Sequence, residues 1–154
     1  GLYYQKFTDV PFTGKVTGKK QGSFENGKWD GAVVAYRDNG QLWFKENYKN
    51  GMREGAFISY SENGGLFAKG IYKNGKKEGA WVRYSYNGQL SRKGNYKSGE
   101  REGAWVGYYE NGQLWYEGDY KNGKKEGDWV DYNKDGTVWK EYTGTFKDGK
   151  KISD

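Results

Sequence analysis

One glycine period governs what this chain can fold into. Gly31, Gly55, Gly79, Gly103 and Gly127 stand 24 residues apart without exception. A second column follows at Gly40, Gly64, Gly88, Gly112 and Gly136, and a third at Gly27, Gly51, Gly75, Gly99 and Gly123. Other residue types keep the same step. Tyr36, Tyr60, Tyr84, Tyr108 and Tyr132 share one position, and Val34, Ile58, Val82, Val106 and Val130 another. Leu42, Leu66, Leu90, Leu114 and Val138 form a further column, as do Tyr48, Tyr72, Tyr96 and Tyr120 after Phe24. A unit this short must bury its apolar residues against its neighbours, so the chain is a repeat array and a single unit should not fold alone.

Within a unit, most glycines of the second and third columns follow Asn, as in Asn39-Gly40 and Asn74-Gly75. Asn-Gly between β-prone runs signals a hairpin, because both residues tolerate positive φ. The runs between turns have strand length. The expected fold is therefore all-β: tandem 24-residue β-hairpin repeats forming an elongated, antiparallel, single-layer meander sheet. Each hairpin should advance the array by roughly 10 Å. Strict alternation puts Val82, Tyr84, Leu114, Tyr116 and Tyr120 on one face. It puts Trp81, Arg83, Trp115, Glu117 and Asp119 on the other. Alternation does not say which face is buried.

The ends break the period. Residues 1–30 read as an N-terminal capping segment with Tyr3, Tyr4, Phe7 and Phe12, and with the single proline, Pro11, suited to an edge. Residues 31–136 carry the regular repeats. Residues 137–154 read as an irregular C-terminal capping hairpin, since two extra residues near Thr143-Gly144 widen the spacing before Gly149 and suggest a bulge. The three stretches form one continuous array.

Composition supports this reading and narrows the function. A mean hydropathy of −1.17 would suit a disordered chain, yet 15 Tyr, 7 Trp and 26 Gly do not. With no His and no Cys, the sequence holds no Ser-His-Asp or Cys-His nucleophile, no Cys/His zinc site and no disulfide. Neither a metal nor a cofactor is expected. Glu54, Glu78, Glu102 and Glu126 recur in identical turns, and Glu117 with Asp119 is the other acidic pair. Acid–base catalysis needs two carboxylates in different environments across a cleft, so the protein is not expected to be an enzyme.

The stretch Tyr116-Glu117-Gly118-Asp119-Tyr120-Lys121-Asn122-Gly123-Lys124-Lys125-Glu126-Gly127 resembles the MORN repeat, with its Tyr-x-Gly opening and Asn-Gly-Lys-x-x-Gly turn. Gly79-Ala80-Trp81-Val82-Arg83-Tyr84, Asn87-Gly88-Gln89-Leu90 and Tyr96-Lys97-Ser98-Gly99 are closer still to the bacterial variant of that repeat in YwqK-type antitoxin-like proteins. Pro11-Phe12-Thr13-Gly14 also resembles the opening of such arrays. The resemblance implies β-hairpin arrays that mediate protein–protein contact, with lipid binding proposed for some. Phe44-Lys45-Glu46 and Arg92-Lys93-Gly94 depart from the Tyr-x-Gly element.

Three features compete as sites. Phe57, Trp81, Trp105 and Trp129 form a ring column that either lines a binding strip or covers the sheet. Trp43, Phe67, Ser91, Trp115 and Trp139 form a column that varies between units, and variation is where recognition resides; it singles out Trp43, Trp115 and Tyr109. The turns around Arg53, Lys76-Lys77, Arg101 and Lys124-Lys125 each carry a Glu, so they read as solvated turns. Nucleic-acid binders concentrate unopposed charge on one face, which these turns do not, despite the net charge of +6. A protein partner ranks first, a cell-surface or wall glycan second and membrane lipid third. The array is expected to be a scaffold of antitoxin-like or adhesin-like kind. The opening Gly1-Leu2-Tyr3-Tyr4 without Met, the lack of Cys and the frequent surface setting of similar arrays point to an extracytoplasmic or cell-surface location.

Overall fold

The computed structural model describes every residue except Phe7, so the expectation for Phe7 lies outside the described residues. The fold is all-β, with no helix among the described residues and every strand pairing antiparallel. The chain divides into two compact units, Gly1–Lys76 and Lys77–Asp154. The first holds β1 (Gly14–Val16), β2 (Lys20–Glu25), β3 (Lys28–Trp29), β4 (Gly31–Tyr36), β5 (Leu42–Lys49), β6 (Met52–Arg53), β7 (Gly55–Tyr60) and β8 (Leu66–Lys73). Its strands follow the order β1-β2-β4-β5-β7-β8, with β3 on β2 and β6 on β5. The second holds β9 (Lys76–Tyr84), β10 (Leu90–Lys97), β11 (Glu100–Tyr108), β12 (Leu114–Lys121), β13 (Lys124–Asp131), β14 (Gly144–Lys147) and β15 (Lys150–Ser153), paired in chain order.

The two turn sites differ in geometry. In the third glycine column both residues are left-handed, as at Asn122 (φ 49°) and Gly123 (φ 78°), which is the type I′ hairpin turn. In the second column only the glycine is left-handed. Gly112 N–H donates to the Tyr109 carbonyl, and Asn111 Oδ1 accepts from Gln113 N–H at 3.1 Å. That is a type I turn closed by a left-handed glycine, so Asn serves there through its side chain and not through positive φ.

Each type I′ turn docks on the repeat before it. Gly123 N–H donates to the Arg101 carbonyl at 3.0 Å, and Asn122 N–H to Glu102 Oε2 at 2.9 Å. The same pair of bonds joins Ser98-Gly99 to Lys77 and Glu78, and Asp148-Gly149 to Lys125 and Glu126. In the first unit it joins Asn74-Gly75 to Arg53 and Glu54. The Glu column thus satisfies turn amides. It does not form the solvated row expected from sequence. At the start of the chain the Phe12 carbonyl and Thr13 Oγ1 take these two places for Asn26-Gly27.

The faces also differ from strict alternation. Gly107 stands opposite Tyr116, and Trp105 opposite Gly118, so Tyr116 and Tyr120 share the face of the Trp column. The register slips between Gly107 and Tyr108, leaving Trp115 as the extra residue of a β-bulge. Leu114 falls opposite Tyr108, on the valine face. A bulge breaks the two-residue period, and counting across it assigns the following residues to the wrong side.

The Trp/Tyr face is the core. Trp105, Tyr116 and Trp129 cluster with Tyr96, Tyr120 and Phe146 packed against them. Successive rings meet edge to face: Tyr96–Trp105 at 5.0 Å, Trp105–Tyr120 at 6.2 Å and Tyr120–Trp129 at 5.0 Å between centroids. The glycine opposite each Trp makes the room. A Cβ on Gly118 would lie 2.7 Å from Trp129 Cδ2, inside the ring's contact distance. Where Val33 replaces the Trp, the facing glycine becomes Glu46, buried and ion-paired with Arg53 at 2.8 Å. A small residue opposite a large one is thus kept with the sizes exchanged.

Gly118→Ala should lower stability by about 2 kcal/mol through the clash with Trp129, measured by chemical denaturation. Glu102→Ala should cost about 1 kcal/mol, by removing the acceptor for Asn122 N–H. Equal, negligible losses in both would contradict this packing.

Candidate binding surface

The cations that the sequence places in solvated turns lie over rings. Lys77 Nζ sits 4.3 Å from the centre of the Trp81 ring and 4.9 Å from that of Tyr96. The Arg101 guanidinium sits 4.6 Å from Trp105 and 4.9 Å from Tyr120, and Lys125 Nζ 4.1 Å from Trp129 and 4.8 Å from Phe146. Their stems and charges roof the aromatic face, which is a cation–π role repeated every 24 residues. The outer cations Lys76 and Lys124 remain exposed, as does Arg53. The regular column Arg53, Lys77, Arg101 and Lys125 was the available sequence signal, since solvent alone does not hold a charge at one position.

This settles where the ring column stands. Trp81, Trp105 and Trp129 are buried at 6%, 3% and 2% exposure, and Phe57 is half-buried, edge-on to Tyr72 at 5.6 Å. The Trp105 indole donates to the Asn95 carbonyl, and that of Trp129 to Asp131 Oδ2 at 2.6 Å. The N–H groups of Trp105 and Trp129 are thus engaged within the sheet.

The variable column is placed otherwise. Trp43, Phe67, Ser91 and Trp115 are each the residue skipped in the strand register, the extra member of a bulge near the type I turn. A bulge re-aims its side chain away from the ladder. Trp43 is 47% exposed, Trp115 42% and Trp139 39%. Phe67 and Ser91 are half-buried.

Each exposed ring has a distinct setting. In the first unit the Arg37 guanidinium stacks 5.4 Å from the Trp43 ring and donates to the Tyr60 carbonyl at 2.9 Å. Lys19, Lys20, Asp38, Phe44 and Glu62 complete that groove. Lys19 holds the Asp38 carboxyl below its usual range, by a hydrogen bond first and by its charge second. In the second unit Tyr109 takes the place of Arg37, its ring 5.7 Å from Trp115 and its hydroxyl donating to the Tyr132 carbonyl at 2.7 Å. Ser85, Ser91, Tyr108, Asn111 and Lys134 surround this pair. Trp139 meets Tyr142 at 4.4 Å in the widened turn before β14.

Four tandem stretches, 29–50, 53–74, 77–98 and 101–122, match the MORN repeat variant, and together they make up more than half of the chain. The chain belongs to the MORN repeat variant family. No curated protein matches it. Among solved structures it is similar to a chain of a GtfA/B complex bound to UDP and GlcNAc, at 16% identity and a TM-score of 0.24. That match covers 73% of this chain and 25% of the other, so this chain spans about a quarter of the protein it matches. The MORN matches place the bulge residues Trp43, Phe67, Ser91 and Trp115 inside successive repeats.

Core and surface rings should separate by stability. Trp105→Ala should cost about 4 kcal/mol, and Trp115→Ala less than about 1 kcal/mol, in matched denaturant titrations. A loss for Trp115→Ala as large as that for Trp105→Ala would place the bulge ring in the core.

Proposed function

We propose that this MORN repeat protein is a non-enzymatic scaffold that binds a protein partner through the exposed rings of its variable column. The observation that carries this reading is the division of labour among aromatic columns. The regular columns are consumed by the fold, whereas the irregular one presents Trp43, Trp115 and Trp139 to solvent. Exposed Trp with Tyr or Arg beside it is the composition that dominates binding energy at protein interfaces. A change of residue at a bulge leaves the ladder, the turns and the ring core in place, so the row can vary without cost to the repeat.

Glycan binding is the second reading, favoured by one place. The Tyr109–Trp115 ring pair is bordered by the Ser85, Ser91 and Asn111 side chains, an apolar floor with a polar rim. An extracytoplasmic setting goes with this reading, so the compartment of the captured partner bears on it.

The test is capture from lysate and envelope fractions of the source cell, with the intact chain beside a Trp43→Ala/Trp115→Ala/Trp139→Ala variant of unchanged stability. One protein retained by the intact chain and lost with the triple variant is the expected result. Retention of cell-wall polymer in its place, abolished by Trp115→Ala alone, would favour the glycan reading. Equal capture by both proteins would refute these rings as the binding surface.

A further inference from the structure

The aromatic face of the second unit ends, toward its type I turns, in a row with unusual chemistry. Across β9 to β13 the residues in register are Arg83, Arg92, Gly107, Tyr116 and Asp131. Arg83 and Arg92 are direct cross-strand partners, and like charges directly opposite destabilise a sheet. Partial desolvation of this otherwise exposed side chain first, and the charge of Arg92 second, pull Arg83 below its ordinary pKa. Next to them stands Gly107, whose missing side chain lets the Tyr116 ring lie across it; a Cβ there would be 2.7 Å from Tyr116 Cζ. The phenol is thereby carried from β12 toward β10 and Arg92.

Tyr116 is 94% buried by its 6% exposure, and its hydroxyl makes no hydrogen bond among the described residues. Burial raises its pKa, while the neighbouring charges of Arg101 and Arg92 oppose that rise. A buried hydroxyl without a partner costs on the order of 1–3 kcal/mol. The acid of this row, Asp131, is already engaged by Lys125 at 3.1 Å and by the Trp129 indole. The buried phenol thus feels the charges of Arg92 and Arg101, and Arg92 stands directly opposite Arg83; Arg101 also donates to the Tyr120 hydroxyl at 2.7 Å. Guanidinium forks match the two oxygens of a carboxylate or phosphate.

We propose that Arg83, Arg92 and the Tyr116 hydroxyl, backed by Arg101, form a binding site for an oxyanion of carboxylate or phosphate type. The anion bridges the two facing arginines and accepts the phenol's proton in a hydrogen bond. The site lies on the ring-bearing face and rests on residues outside the variable column, so it stands or falls independently of partner capture at Trp43, Trp115 and Trp139.

The test uses the full chain with two probes, inorganic phosphate and a short glutamate-rich peptide, against chloride at matched ionic strength. Thermal melting and calorimetric titration are the readouts. Phosphate should raise the melting temperature above that in chloride, and Arg92→Gln should weaken its binding by about tenfold, the loss of one charged hydrogen-bond pair. Tyr116→Phe keeps the ring packing and should weaken binding while leaving the chloride melt unchanged or higher. Should Arg92→Gln fail to fold, Arg83→Gln at its exposed partner gives the same comparison. Peptide binding that depends on Arg92 assigns the oxyanion to a partner's acidic side chains, and binding of phosphate alone assigns it to a free anion. Absence of an arginine-dependent response to either probe overturns the site.

Discussion

The fit of an indole over a glycine on the facing strand is the contact on which the rest of this sheet depends. Trp105 lies against Gly94 and Trp129 against Gly118, closer than any side chain at those positions would permit. That approach lets a single layer of strands bury Trp105 and Trp129 at 3% and 2% exposure without a second layer of structure packed on top. It also orders what surrounds the rings. Tyr96 and Tyr120 fill the intervals edge-on, and Lys77, Arg101 and Lys125 close the face from above. A thin sheet with few aliphatic residues is stable on these terms because aromatic area, quadrupole geometry and charge act on the same residues.

Stability of this kind is local and repeated. Each type I′ turn after the first is tied to the preceding repeat by a backbone carbonyl and a carboxylate, so neighbouring repeats share both ring contacts and turn contacts. Array stability then resembles a sum of nearest-neighbour terms. A consequence for function is that any position outside these ties is free to change. The bulge column meets that condition, carrying Trp, Phe, Ser and Trp in successive repeats.

The period, the all-β class, the hairpin turns and the repeat family were legible in the residues because each rests on local chemistry: glycine at the turns and aromatic columns at fixed spacing. The sidedness of Tyr116 and Tyr120 was not, because Trp115 occupies a bulge that resets alternation, and no residue type in that position announces it. The roles of Arg101 and Glu102 were hidden for a related reason. Both look like solvated turn residues until the strands bring Trp105 beneath one and the Asn122 amide against the other. The variable column was visible as irregularity, but Trp81, Trp105 and Trp129 shared its residue type. Burial alone separates the two sets of rings.

Hydrogen exchange of the indole N–H groups, followed by NMR on the native chain, tests that separation most directly. Slow exchange is expected for Trp105 and Trp129, whose N–H groups are bonded to the Asn95 carbonyl and to Asp131. Fast exchange is expected for Trp43, Trp115 and Trp139. Protection of Trp115 comparable to that of Trp129 would contradict the division between rings that hold the sheet and rings that face outward.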